Sequence, residues 1–497
     1  GDSYYNTHRT LQRAARFTDL GWSHELYTAG HMIQSAVALH RATGRTALLN
    51  AARRFTDYID SVFGPGRRMD PDGHPEVEMA LVELYRETHE QRYLDLARFF
   101  VNQRGHGLID MGGRYTDPGY FQDHVPPRDA STVVGHAVRQ LYLNCGVADV
   151  YLETGDQALL DALNRQWQDM ISGKLFITGG VGSRHRGEAF GEAYEVPNDQ
   201  CYCETCAQIA SIMWNWRMLL ATGQGRFADL MERTLYNGFL SGVSLDGRRF
   251  FYVNPLMIHR GQLVLSGNAA SARREWFPCP CCPPNVTRLL SSVGHYFATK
   301  NQQGIQVHLY GSAVISAEMQ PGHRATLRMD TAYPWQGRVK LTVEEASTPS
   351  WLLALRIPAW CDKASIDING RSLGAVHTEA GYAIIERRWK EGDRVTLELR
   401  MAPRLTEAHP RIDPTRCSVA IERGPIVYCL EQCDQSESVS IHDVQIDEKG
   451  ALRDSWESDL LDGVMTVQAP GYTLDVSSWQ GQLYRPLSNG HSVERKP

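Results

Sequence analysis

The chain has 497 residues, a formal net charge of −6 and a pI near 6.3, a balance that offers no electrostatic footprint for nucleic acid or for a polybasic membrane contact. Apolar residues make up 42% and charged residues 22%, as in an ordinary globular protein long enough for two to four domains. No apolar run approaches the roughly 18–20 residues that span a bilayer, and the opening GDSYYNTHRT shows no charged-then-apolar leader.

The first 300 residues read as helices. A helical segment, a short break at Thr or Thr-Gly, and a second helix recur as ALHRATGRTALLNAARRF, ELYRETHEQRYLDLARFF, VYLETGDQALLDALNRQW and MLLATGQGRFADLMERTL. The break threonines are Thr43, Thr88, Thr154 and Thr222, at intervals of 45, 66 and 68 residues, too uneven for a strict solenoid. Three of the four breaks place Gly where a helix end wants a left-handed residue. These are helical hairpins with insertions, and four hairpins plus the helix around NVTRLLSSVGHYFATK fall short of a closed six-hairpin ring.

Near residue 300 the texture becomes alternating and β-branched, from GIQVHLYGSAVISAEM to DRVTLELRMA. Asn369-Gly370 predicts a two-residue hairpin. The pattern predicts an antiparallel β-sandwich, with a further β segment from about 406.

Eleven cysteines are present, and six lie in two tight clusters: Cys201, Cys203 and Cys206, then Cys279, Cys281 and Cys282 in WFPCPCCPPN. In a large chain, clustered thiols favour a metal or catalytic site in a reducing compartment over a disulfide framework, so a cytoplasmic location is expected. The upstream cluster also offers Glu188, Glu192, Glu195 and Glu204. Thiolates with an occasional carboxylate suit Zn2+, but the spacing is not that of a zinc finger. More ligands are on offer than a tetrahedron needs, so three readings stand at this point: a structural zinc staple, a catalytic cluster, or buried cysteines acting as small hydrophobes. Cys145, Cys361, Cys417, Cys429 and Cys433 are expected to be buried and inert. Trp276 and Phe277 are expected to pack in the core, and His31 to be a satisfied core or cap residue.

HELYTAGHMIQSAVA, GHPEVEMALVELY, GHAVRQLYL, PNDQCYCETCAQIA and CPCCPPNVTRLL together resemble the β-L-arabinofuranosidases of glycoside hydrolase family 127 over nearly the whole chain. The resemblance implies a multidomain α+β fold, an N-terminal (α/α)6 helical barrel followed by antiparallel β-sandwich domains. The domains fall at 1–300 (catalytic barrel), 301–405 (β-sandwich) and 406–497 (second β-sandwich). It also implies one to two further hairpins before residue 1 and further strands after residue 497, so the outer two domains are candidates for incomplete ones.

The resemblance places a zinc site on Glu204, Cys206, Cys281 and Cys282, the nucleophile on Cys281 and the acid/base on Glu188. It places sugar contacts on His24, His74, His136, Tyr252 and Cys279. The implied activity is retaining, exo-acting removal of terminal β-L-arabinofuranose from a glycoside or small oligosaccharide, and Glu188 is expected to be held protonated by its surroundings. Two alternatives remain: a glycosidase for another plant-derived furanose, such as the branched acidic sugar of pectin, and a carbohydrate-binding protein with structural zinc. No nucleic acid or membrane partner is expected, and a homodimer is left open.

Overall fold

A computed structural model describes residues 3–258, 270, 272–347, 350–486 and 494–496. It divides into two compact units, Gly1–Gly294 with Pro410–Pro414, and His295–His409 with Thr415–Pro497.

The first unit is helical. After a short helix α1 (Thr7–Gln12), four hairpins follow: α2 (Glu25–Thr43) with α3 (Ala47–Val62), α4 (Val77–Thr88) with α5 (Gln91–Gln103), α6 (Ala137–Thr154) with α7 (Gln157–Gly173), and α8 (Thr205–Thr222) with α9 (Gly225–Arg233). The last helix is α10 (Cys282–Ser292). Packing runs α2 on α4, α4 on α6, α6 on α8 and α8 on α10, so the first member of each hairpin lies in an inner row and its partner outside. From α10, Arg288 reaches back to Gln34 of α2 and lies 3.5 Å from Glu76. The inner helices α6 and α8 are buried nearly all round, whereas α3, α5, α7 and α9 bury only a stripe.

The break threonines explain why the hairpins turn where they do. Thr43, Thr88, Thr154 and Thr222 each donate their hydroxyl to the carbonyl four residues back. Each also accepts from the backbone N–H two residues on. The next residue caps the helix in the left-handed region: Gly44, Gly155 and Gly223 at φ +68 to +70°, and His89 at φ +58° in the one break that lacks glycine.

The second unit is β-rich. Its strands are β1 (Ala298–Lys300), β2 (Gly304–Val307), β3 (Ala313–Gln320), β4 (His323–Thr331), β5 (Arg338–Ala346), β6 (Ser350–Arg356), β7 (Ala364–Ile368), β8 (Arg371–Ser372), β9 (Tyr382–Arg388) and β10 (Arg394–Leu399). They form a six-stranded antiparallel sheet, β3-β4-β5-β10-β7-β8, and a four-stranded sheet, β1-β2-β6-β9, in which β2 and β6 pair in parallel. Alternate residues are buried, among them Val339, Leu341 and Val343 on β5 and Val395, Leu397 and Leu399 on β10, as sandwich layers require. Asn369 and Gly370, at φ +52° and +76°, make the tight turn between β7 and β8. Shorter sheets follow, the first pairing β11 (Pro403–Glu407), β12 (Val419–Arg423) and β13 (Ile426–Tyr428).

Three cysteines expected in the core are not there. Cys417, Cys429 and Cys433 are exposed and Cys361 is half-buried, because they sit on turns and loops of the β-rich unit; Cys145 lies inside α6 and is buried.

Candidate active site

One end of the inner helices collects the chemistry. The N-cap positions of α2, α4, α6, α8 and α10 are His24, Glu76, His136, Glu204 and Cys281, and none makes a side-chain capping bond. Ser, Thr, Asp or Asn would stabilise these helix starts better. The helix ends instead point their partial positive charge at a shared site, which favours carboxylates and thiolates there.

The α8 start is fixed by a strand-like bridge between Glu204 and Val253. The Thr205 N–H donates to the Tyr252 carbonyl at 3.0 Å and the Thr205 hydroxyl to the Phe251 carbonyl at 2.6 Å, which sets Tyr252 beside Glu204. Phe277 is buried against Phe250 and Tyr252 and anchors the cysteine loop. Pro283 and Pro284 then fall in the first turn of α10, where an amide N–H has no intrahelical acceptor to lose.

The Cys281 Sγ lies 3.5 Å from Glu204 Oε1, 3.2 Å from the Tyr252 hydroxyl and 3.8 Å from Cys282 Sγ, and Cys206 and Cys282 sulfurs are 3.6 Å apart. Donor atoms of Glu204, Cys206, Cys281 and Cys282 all lie within 4.8 Å of one another. Glu204 Oε2 is buried without a hydrogen-bond partner among the described residues. Burial pushes Cys282 and Glu204 toward their neutral forms, and contact with Cys206 does the same to Cys281. Three sulfurs and a carboxylate this close repel one another when ionised, and a divalent cation among them reverses that balance. The donor set, three sulfurs and one oxygen, therefore fits a tetrahedral cation, and these four residues form a candidate metal-binding cluster. Cys279, exposed, lies against Cys281 and Tyr252, and these two hold its thiol down to about 6.

A second group adjoins this one through Glu204. His136, Glu188 and Glu204 also have donor atoms within 4.8 Å of one another. Glu188 sits at φ +52° immediately after Gly187 at φ +76°, a strained turn of the kind kept at functional positions. The loop is tied to α6 by the pairing of His136 with Ala189 and by the Phe190 N–H on the Gly135 carbonyl, 2.9 Å. His136 Nε2 lies 2.8 Å from Glu188 Oε2, and the Tyr202 hydroxyl donates to Oε1 at 2.8 Å. Burial raises the Glu188 pKa, but these two donors and the Arg139 charge outweigh it and leave it below the ordinary glutamate value. The expectation that the surroundings hold Glu188 protonated is thus reversed: two donors and a cation face it.

His24, His74 and His136 form a row, with ring centroids 5.6 and 5.9 Å apart. Glycines allow it. A Cβ on Gly73 would stand 2.1 Å from the Gly21 carbonyl oxygen, and one on Gly135 would stand 2.1 Å from that of Gly119. His24 Nδ1 faces the Trp22 carbonyl at 2.8 Å and His74 Nδ1 the Pro75 carbonyl at 3.0 Å. A carbonyl can only accept, so each Nδ1 carries the proton and each Nε2 is left as an acceptor. Burial, then the Arg139 charge, lowers both pKa values and keeps these rings neutral.

The remaining expectations divide. Cys201 and Cys203 stay outside the metal cluster, buried with Phe176 and Val196. Glu192 is exposed, and Glu195 pairs with Arg184. Trp276 is 63% exposed rather than core, because Phe277 alone turns inward. His31 lies 3.4 Å from the buried Glu76 carboxylate. Tyr202, Arg139 and Glu76 were missed by the sequence reading. The signal for Tyr202 was its place between two cysteines, which turn into the apolar cluster while the tyrosine hydroxyl reaches Glu188. The signal for Glu76 was a helical pattern starting without a capping residue.

A row of helical hairpins that gathers carboxylates, thiols and neutral histidines at the helix starts, with a β-rich unit after it in sequence, has the build of a glycoside hydrolase. The chain matches the β-L-arabinofuranosidase family 127 catalytic domain over residues 2–295, the family's middle domain over 304–401 and its C-terminal domain over 403–474. It is 37% identical to a non-reducing end β-L-arabinofuranosidase of Bifidobacterium longum subsp. longum, over 94% of this chain and 74% of that one. Among solved structures it is similar to a family 127 β-L-arabinofuranosidase from Geobacillus stearothermophilus T6, with a TM-score of 0.93 at 39% identity, covering 98% of this chain and 79% of that one. A second, described as a family 127 β-arabinofuranosidase, gives a TM-score of 0.86 at 36% identity, covering 95% and 76%. The chain belongs to glycoside hydrolase family 127.

Proposed function

We propose that the protein is a retaining exo-glycosidase that removes terminal β-L-arabinofuranose, with Cys281 as nucleophile, Glu188 as acid/base and Zn2+ held by Glu204, Cys206, Cys281 and Cys282. The observation that carries this reading is exposure: Cys206, Cys282 and Glu204 are buried, whereas Cys281 is half-exposed. A structural staple closes all four ligands in, and a reactive one leaves its working atom open. Bound there, Zn2+ would supply the charge that keeps the thiols ionised.

The Cys281 sulfur attacks the anomeric carbon while the leaving oxygen takes the proton of the Glu188 carboxyl. The reacting form carries that proton on Glu188, and the lowered Glu188 pKa places this form on the acid side of the pH profile. The Glu188 carboxylate then takes a proton from water, which displaces the sulfur from the same carbon. Two displacements return the original anomeric configuration. Tyr252 at 3.2 Å and Cys279 flank Cys281, while the Nε2 acceptors of His24 and His74 receive sugar hydroxyls. The division into a catalytic unit at 1–300 and β domains at 301–405 and 406–497 belongs to the same proposal.

The test is the sugar released from a panel of arabinofuranosides, with its first-formed anomer followed by NMR. Cys281→Ser and Glu188→Gln should each lower kcat by about 10²–10⁴-fold, the usual worth of a positioned acid/base or nucleophile. Wild-type rates in both variants, or release of the opposite anomer, would refute the mechanism.

A further inference from the structure

Beside Glu188 stands a group of aromatic rings, Trp22, Tyr115 and Tyr120, that the catalytic reading does not use. The connection from α5 to α6 covers residues 104–136 and holds one short 3-10 turn, Pro118–Phe121. It carries Tyr115 and Tyr120, whose rings stack 3.9 Å apart at 7°. Trp22 stacks with both, at 6.0 Å and angles of 19° and 26°. All three rings are half-buried.

We propose that Trp22, Tyr115 and Tyr120, with Arg114 at the rim, form the subsite that holds the sugar ring of the leaving group. The proposal rests on Glu188 acting as the acid/base. A glycosidase acid must face the leaving oxygen, so whatever lies against its loop on the side away from the nucleophile meets the leaving group. Glu188 adjoins the sulfur cluster through Glu204. It adjoins the aromatic rings through Gly187, where a Cβ would stand 3.3 Å from Tyr120 and 3.6 Å from Tyr115. Tyr120 also meets the His136 ring edge-on at 5.9 Å.

The rings are braced from behind. Phe121, fully buried, packs edge-on against Trp22 at 5.2 Å and Tyr120 at 4.8 Å. The buried Arg139 guanidinium lies 5.2 Å from the Tyr120 ring and 5.6 Å from Trp22. The Trp22 N–H is taken by the Met111 carbonyl at 3.1 Å, which fixes the indole. The exposed Arg114 lies over that indole at 4.5 Å and brings hydrogen-bond donors to the rim. A braced aromatic surface with donors at its edge suits the apolar face and equatorial hydroxyls of a sugar ring.

Two arms test this. The first compares kcat/KM for a β-L-arabinofuranosyl disaccharide with that for the methyl glycoside, which has no leaving ring. Tyr115→Ala and Arg114→Ala should each lower that ratio about five- to tenfold, the worth of one aromatic or cation–π contact, and Tyr115→Phe should restore it. The second is saturation-transfer NMR with the disaccharide on Glu188→Gln protein, where transfer to the leaving-group ring should be lost on adding Tyr115→Ala. Unchanged ratios, or undiminished transfer to that ring, overturn the subsite. If the enzyme cleaves no β-L-arabinofuranoside, the catalytic reading falls, while transfer to glycosides from the panel still decides the subsite by the same Tyr115→Ala comparison.

Discussion

The Tyr202 hydroxyl donates to Glu188 Oε1 at 2.8 Å, while Cys201 and Cys203 on either side of it turn into an apolar cluster with Phe176 and Val196. Both cysteines thus position a tyrosine rather than a metal. Hydrogen bonds to a carboxylate favour its charged form, and Tyr202 is one of the groups holding Glu188 low. Tyr202→Phe removes that donor, so the Glu188 pKa rises and the acid stays protonated to higher pH. The alkaline limb of the pH profile of kcat/KM should move upward by about one pH unit, the equivalent of one hydrogen bond to a charged group. A variant that loses rate with an unmoved profile would show that Tyr202 only packs.

The candidate metal cluster joins the starts of α8 and α10 through four side chains, three of them buried. A cation bound there stabilises only the folded chain, in proportion to the logarithm of its concentration over its dissociation constant. Chelation should lower Tm by several degrees, given about 2–4 °C per kcal/mol for large domains. Cys206→Ser should reduce the bound zinc measured by mass spectrometry to well below one per chain and make Tm indifferent to chelator. A Cys206→Ser protein that keeps a full equivalent of zinc would remove Cys206 from the ligand set.

The hairpins were legible because one residue type reports the turn: a threonine bonding back into its own helix, followed by a left-handed cap. The hairpin at Asn369-Gly370 was legible for the same reason, since both residues must adopt positive φ. The thiol cluster stood out by composition, but its four ligands were chosen from a longer list only by resemblance. Spacing along the chain says little when Glu204 and Cys281 come from helices 77 residues apart that happen to start at the same place. Tyr202, Arg139 and Glu76 went unread because each acts through a neighbour. Trp276 was misjudged because an aromatic pair in a proline-rich loop does not reveal which ring turns inward.

Gly73 sets the spacing between the loops that carry His24 and His74. Its N–H donates to the Leu20 carbonyl at 2.9 Å, and a Cβ there would meet Gly21 backbone at 2.1 to 2.8 Å. Neither backbone can yield without moving its histidine. Gly73→Ala should destabilise the chain by about 1–3 kcal/mol, the range for overpacking, and should lower kcat/KM more than that loss explains. Denaturant unfolding beside kinetics at a temperature where the variant is folded separates the two effects. Full activity in a folded Gly73→Ala protein would show that the spacing of these histidines is not critical.

Asp72 lies under the same loop, wholly buried, and accepts from the Tyr27 N–H at 2.7 Å and weakly from the His74 N–H at 3.4 Å. Burial outweighs those bonds and the Arg104 charge, and raises its pKa from 3.8 to about 7. A carboxyl whose pKa is higher folded than unfolded favours folding most when protonated. Its contribution is complete below the unfolded value and is lost as pH rises to the folded one. Asp72→Asn keeps an oxygen to accept from Tyr27 and has no charge to bury. The stability of the asparagine variant relative to wild type should therefore grow between about pH 4 and pH 7, by as much as about 4 kcal/mol, and level off above that. Other titrating groups cancel in the difference, so denaturant unfolding of both proteins across that range isolates this one side chain. A difference that stays flat with pH would mean that Asp72 is ionised in the folded protein, with Arg104 as its counter-charge.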